Sequence, residues 1–270
     1  MRSAAAAAPA ATPRYTSAVC KGSGLLDDMK ALLRAWRPGE SALEFRDRVH
    51  REGILGKATT KRADDVVCKV FAPRFLCEEG KPALLMRTVL GRRNGGRLFS
   101  DICLLYAARQ DVLLRDAIVE VYWPALTQGR LALSTKDVTA FLVDARAEGR
   151  IPELWSKTVK ERVAQGVVRI LTEFGLLGTA RRGRRETINY RPSDGTIVYL
   201  AHDLHFGGAT DAGVVAHRDW ALFGLHEREV IAAMDRLSSD GWWVVQAAGS
   251  VVRITWRYES MQEVVDALAG

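Results

Sequence analysis

The sequence predicts a mainly α fold with small β wings (α+β), in which helix-turn-helix and winged-helix modules are joined by a helical middle segment. Three observations predict it. Apolar residues recur at helical spacing through most of the 270 residues. Ser and Thr caps open those runs, and Gly or Pro closes them. β-rich runs are short and come late, each following a helix and holding a turn signal.

The elements follow in order. Leu25 to Trp36 carries Leu25, Leu26, Met29, Leu32, Leu33 and Trp36 at helical spacing, and Pro38-Gly39 ends it. Ser41 caps a second helix, Ala42 to Arg51, closed by Gly53. A third helix is expected from Thr59 to Ala72, stopped by Pro73. Pro82 to Tyr122 reads as helical, in segments broken near Gly91–Gly96, and Pro124 and Gly129 mark a linker. Ser134 and Thr135 precede a helix from Lys136 to Ala147, and Ser156 caps a long one, Lys157 to Phe174, ended by Gly175. Strand-like runs, Leu176 to Thr179 and Glu186 to Tyr190, flank an Arg-rich loop, and Ile197 to Leu200 reads as a further strand. The last part holds a helix from Glu227 to Leu237, β-rich runs Trp242 to Ala247 and Val251 to Tyr258, and a helix from Met261 to Leu268. Trp242 and Trp243 would then face opposite sides of a sheet. Four regions are expected: a disordered Ala-rich tail over 1–14, an all-helical domain with a helix-turn-helix over 15–128, a winged-helix domain over 129–200, and an acidic α+β segment over 201–270.

Charge narrows the partner. There are 39 Lys+Arg against 32 Asp+Glu, net +7, and the excess is uneven. Met1 to Pro192 holds net +13 and Ser193 to Gly270 net −6. A basic body with an acidic C-terminal piece points to a polyanion, nucleic acid before others. Hydrophobic residues at 48% exclude global disorder, and no apolar run reaches the roughly 18–20 residues of a membrane helix. Four scattered cysteines, with no CxxC pair, fit a reducing cytoplasm.

The helix Lys157–Phe174 carries the sharpest pattern. At about 100° per residue, Val159, Val163, Val167, Ile170, Leu171 and Phe174 form one dry stripe, while Thr158, Arg162, Gln165 and Arg169 gather on roughly the opposite face. Arg suits the O6 and N7 of guanine, and Gln suits adenine. Ser156, Lys157, Thr158 and Lys160 sit at the amino end, where free N–H groups favour a phosphate. Arg181, Arg182, Arg184 and Arg185 follow on the hairpin loop, giving Ser156 to Arg185 a net charge of +6. A helix in the major groove with an Arg-rich wing over phosphate explains both features. A solvated helix face and a flexible charged loop are the bland counterparts of these readings.

A second basic group, Lys57, Thr59, Thr60, Lys61 and Arg62 with Lys69, opens the third helix, where Asp64 and Asp65 reduce its charge. Arg87, Arg92, Arg93 and Arg97 are further phosphate candidates. Catalytic signatures are sparse. His226-Glu227 begins like a zinc-protease motif, but Val230 stands where the second His is required. His202, His205, His217 and His226 are loosely spaced, and Asp65, Glu79 and Lys81 match a nuclease pattern only thinly. We expect no enzyme activity, cofactor or metal.

Tyr15-Thr16-Ser17 with Gly24-Leu25-Leu26, then Lys57 to Arg62 (KATTKR), then Leu154 to Leu177 (LWSKTVKERVAQGVVRILTEFGLL) resemble segments of the BrxA family, the A component of bacterial BREX phage-defence systems. The likeness spans roughly Tyr15 to Leu200; the Ala-rich leader and acidic tail are less typical. It implies a non-enzymatic, helix-rich protein, likened to NusB in its helical part, with winged-helix modules and a double-stranded DNA partner. The matching positions are Thr59 to Arg62 and Ser156 to Arg169, with the Arg181–Arg185 wing following. Other BREX subunits are further expected partners. Alternatives are a protein–protein scaffold, a NusB-like RNA binder and, remotely, a metal-dependent nuclease.

Overall fold

Local capping chemistry sets where the helices begin. In the computed structural model, which describes residues 15–21, 25–56, 58–91, 95–151, 155–248 and 251–269, Ser41 and Ser134 each form a capping box with the acid three residues on, Glu44 and Asp137. A short turn at Ser17–Lys21 leads to α1 (Leu26–Ala35) and α2 (Ala42–Glu52). Next come α3 (Thr60–Val66), α4 (Ala72–Phe75), α5 (Lys81–Leu90), α6 (Gly96–Gln110), α7 (Val112–Ala117) and α8 (Trp123–Thr127). Then follow β1 (Ala132–Leu133), α9 (Thr135–Ala147), α10 (Lys157–Glu173), β2 (Leu177–Arg181) and β3 (Arg184–Thr187). The chain ends with α11 (Asp194–Phe206), α12 (Asp211–Val215), α13 (Glu227–Ser238), β4 (Trp243–Ala248), β5 (Val251–Trp256) and α14 (Met261–Ala269). The fold is mainly α with small antiparallel wings, as the sequence predicts. The strands make a three-stranded sheet of order β1-β3-β2 and a separate β4-β5 hairpin. The Ala-rich stretch 1–14 lies outside the described residues.

Three expectations need correction. Pro73 does not stop the third helix: a π turn, Val67–Phe71, carries the helical path into α4, with the Ala72 N–H bonded to the Val67 carbonyl five residues back. Proline lacks an N–H and crowds the carbonyl four residues before it; widening the preceding turn relieves that conflict. The same device recurs at Ile118–Tyr122, where the Trp123 N–H reaches the Ile118 carbonyl, so Pro124 opens α8 rather than a linker. Ile197 to Leu200 is not a strand but part of α11, and all four residues are buried. A short all-apolar run has no period by which helix and strand can be told apart. Of the tryptophan pair, Trp243 is buried in the core and Trp242 is half-buried.

Buried residues from Tyr15 to Leu268 form one continuous hydrophobic cluster. Tyr15 packs on Phe141, and its hydroxyl donates to Asp116 (2.8 Å). Gly80 lies flat under Trp36: it has φ +81°, and an added Cβ would stand 2.4 Å from the buried indole. Gly80→Ala should therefore cost about 2–4 kcal/mol, combining left-handed strain with overpacking. Urea unfolding measures this; an unchanged midpoint would show that Trp36 yields freely.

Candidate nucleic-acid interface

The dry side of α10 is wider than its valine stripe. Val163, Ala164, Gly166, Val167, Val168, Ile170 and Leu171 are all buried, because α9 covers one flank and Ser17–Lys21 the other. What remains outside is the predicted face: Thr158, Arg162, Gln165 and Arg169 are all exposed. At the amino end the Ser156 hydroxyl accepts the Val159 N–H (3.3 Å), so Ser156 serves as the cap. Lys157 is exposed beside it and Lys160 is half-buried.

The hairpin departs from expectation. The Arg-rich segment is not a loop: the turn is only Arg182-Gly183, and Arg181, Arg184 and Arg185 lie in strands. Strand alternation sends Arg184 and Arg185 to opposite faces. Arg184 is exposed; Arg185 is half-buried, sits opposite Leu133 of β1, and its guanidinium donates to the Gly178 carbonyl (3.4 Å). Arg182, with φ 49°, stands exposed at the tip. Sequence adjacency suggested one cationic cluster; pairing register divides it.

The first basic group is largely answered by acids. Thr59 caps α3 by accepting the Arg62 N–H, and the Arg62 guanidinium pairs with Asp28 at 3.1 Å. Lys69 pairs with Asp65 at 2.5 Å. Thr60 and Lys61 are exposed on the first turn, and Lys57 lies outside the described residues. This group is nonetheless tied to α10. The Leu26 N–H, at the start of α1, donates to Glu173 at the end of α10 (2.6 Å), and Asp28 on that same turn holds Arg62. Of the other arginines, Arg87 donates to the Trp36 carbonyl (3.3 Å). Arg97 pairs with Asp101 (3.0 Å) and lies over the Tyr190 ring (4.1 Å). Arg92 and Arg93 are outside the described residues.

Sequence reading missed one part of this surface. Thr135, Lys136 and Thr139, from the start of α9, share a cleft of about 390 Å³ with Glu161 and Gln165 of α10. The Ser134 cap announces α9, but nothing local says that its first turn lies beside Gln165. The histidines do not converge. His202 bonds the Val198 carbonyl (2.8 Å), His205 stacks on Trp256 (4.2 Å between centroids), and His217 accepts the Asp219 N–H (3.2 Å). Among the described residues no three His, Cys, Asp or Glu side chains gather in metal-binding geometry. Glu79 sits in a short turn and Lys81 opens α5, not the strand that a nuclease motif needs.

The C-terminal unit repeats the order of helix, helix and hairpin in α12, α13, β4 and β5, but with its arginines at other positions: Arg228 and Arg236 on α13 and Arg253 on β5. Counted from the helix caps Ser156 and His226, the places of Arg162, Gln165 and Arg169 are taken by Ala232, Asp235 and Ser239.

The BrxA family model matches residues 13–189. The chain belongs to the BrxA family. Its fold is similar to the crystal structure of an uncharacterized protein from Magnetospirillum magneticum, with TM-score 0.58 and 21% identity over 72% of this chain and 95% of that one. At such identity the likeness is one of fold. No curated protein matches the chain. As a BrxA-family member it is a BREX-system component, with other BREX subunits as its natural partners. No helix among the described residues is long and apolar enough to cross a membrane.

Proposed function

We propose that this BrxA-family chain is a non-enzymatic, cytoplasmic binder of double-stranded DNA within a BREX phage-defence system. The observation that carries the reading is α10: a helix locked by its apolar side that presents Thr158, Arg162, Gln165 and Arg169 outward. Its setting adds support. The order β1, α9, α10, β2, β3, with β3 between its neighbours, is the winged-helix order, and Arg182 and Arg184 lie on the exposed side of the wing. In this reading α10 enters the major groove, Arg182 and Arg184 meet phosphates, and Lys136 and Lys157 hold the flanking backbone.

The test is fluorescence anisotropy with a labelled duplex at two salt concentrations, with single-stranded DNA and RNA as competitors. Arg162→Ala with Arg169→Ala should weaken duplex binding by about tenfold or more. Arg182→Ala with Arg184→Ala should lower the salt slope by about 0.9 for each phosphate that is no longer neutralised. Unchanged affinity in the first pair removes α10 from the interface. Stronger competition by RNA than by duplex DNA would favour an RNA partner instead.

A further inference from the structure

We propose that the cleft between α5 and α14 is a docking site for a basic amphipathic helix of a partner protein. The cleft measures about 520 Å³, and its floor is apolar: Leu84 and Leu85 from α5, Phe206 from the end of α11, and Met261 from α14. Leu84 is 39% and Phe206 37% exposed, among the few large apolar side chains on the described surface. The walls are fixed, since α14 packs on both α5 and α11. A preformed apolar floor of this kind suits one or two anchor side chains of a partner.

Charge selects the partner. Glu78 and Glu259 line the cleft, and Glu79 and Glu263 adjoin them, with Glu263 accepting the Glu259 N–H (3.0 Å). Lys81 opposes them at the rim. Arg109, at the base, is answered by Asp203 and Asp219 (2.7 Å each). The rim is therefore acidic in a chain whose total is +7. It repels phosphate and favours lysine or arginine flanking leucine-like anchors. The acids are also held in place at a cost. Glu78 and Glu79 adopt φ of 48° and 58°, ahead of Gly80 at 81°. Two left-handed glutamates in a row are unfavourable, and strain of this kind collects at ligand-contacting sites.

The probe is a labelled helical peptide of leucine and lysine, with a leucine–glutamate peptide as counterpart, titrated with the full chain at about 0.15 M salt. The lysine peptide should bind saturably and the glutamate peptide should not. Leu84→Gln with Phe206→Gln leaves the charge unchanged and should weaken binding about tenfold; Glu78→Lys with Glu259→Lys should abolish it. Both variants should keep the wild-type melting curve, and the charge-neutral glutamine pair should also keep the wild-type duplex-DNA affinity, which separates this proposal from the DNA reading. No binding of the lysine peptide, equal binding of the glutamate peptide, or an unchanged affinity in the glutamine pair overturns it. A dimer in sedimentation that the glutamine pair dissociates would assign the cleft to a second copy of the chain, and overturns the partner assignment as well.

Discussion

Asp101→Ala is expected to lose about 2–4 kcal/mol of unfolding free energy, the range for taking the acceptor from two buried hydroxyls. Asp101 is 1% exposed in the middle of α6. Its carboxylate accepts the Tyr190 hydroxyl (2.7 Å), the Thr196 hydroxyl (2.7 Å) and the Arg97 guanidinium (3.0 Å). Burial pushes its carboxyl above the usual range, against the pull of those three donors. Removing it leaves two buried hydroxyls without this acceptor, while the exposed Arg97 guanidinium keeps its bond to the Arg191 carbonyl (2.9 Å). The three donors come from α6 itself, from the segment after β3 and from α11, so the loss should loosen the junction between the basic body and the C-terminal unit. Asp101→Asn keeps one acceptor and should cost less than half as much. Urea unfolding followed by circular dichroism gives both values; an alanine loss below about 1 kcal/mol would mean that water replaces the carboxylate.

Acid is expected to weaken the fold through His202. This side chain is fully buried among Phe206, Trp243, Trp256 and Tyr258; its Nδ1 lies against the Val198 carbonyl, and its Nε2 has no partner among the described residues. Burial pushes its pKa down to about 4 from 6.5, with neighbouring His205 adding a smaller push the same way. Above pH 6.5 the ring is neutral folded or unfolded, and the linkage contributes full stability. As pH falls from 6.5 toward 4, the unfolded chain takes up a proton that the folded chain refuses. About 3 kcal/mol is lost across that window. Unfolding free energies at several pH values, for the wild type and His202→Leu, should differ in slope by that amount. Parallel curves would show that the ring reaches solvent without unfolding.

Sequence and tertiary structure divided the determination of this protein in an intelligible way. Periods and caps are local, so Ser41, Ser134 and Ser156 located three helices, and the valine stripe of α10 named its inner and outer faces. The family was legible in short segments such as KATTKR and the stretch ending at Leu177. Charge partition was legible because it needs only counting. Whether a cation is answered by an acid is a different matter, because Arg62 and Asp28 are 34 residues apart in sequence. Register separated Arg184 from Arg185, and no count of arginines contains a register. Packing turned Ile197–Leu200 into helix, since a run buried on every side carries no period. The sequence by itself determined where the capped, periodic helices begin and which face of α10 would be cationic, through interactions within a few turns. Tertiary structure alone decided which charges remain exposed and that α5, α11 and α14 meet in an acidic cleft, because those contacts join residues brought together only by burying a common core.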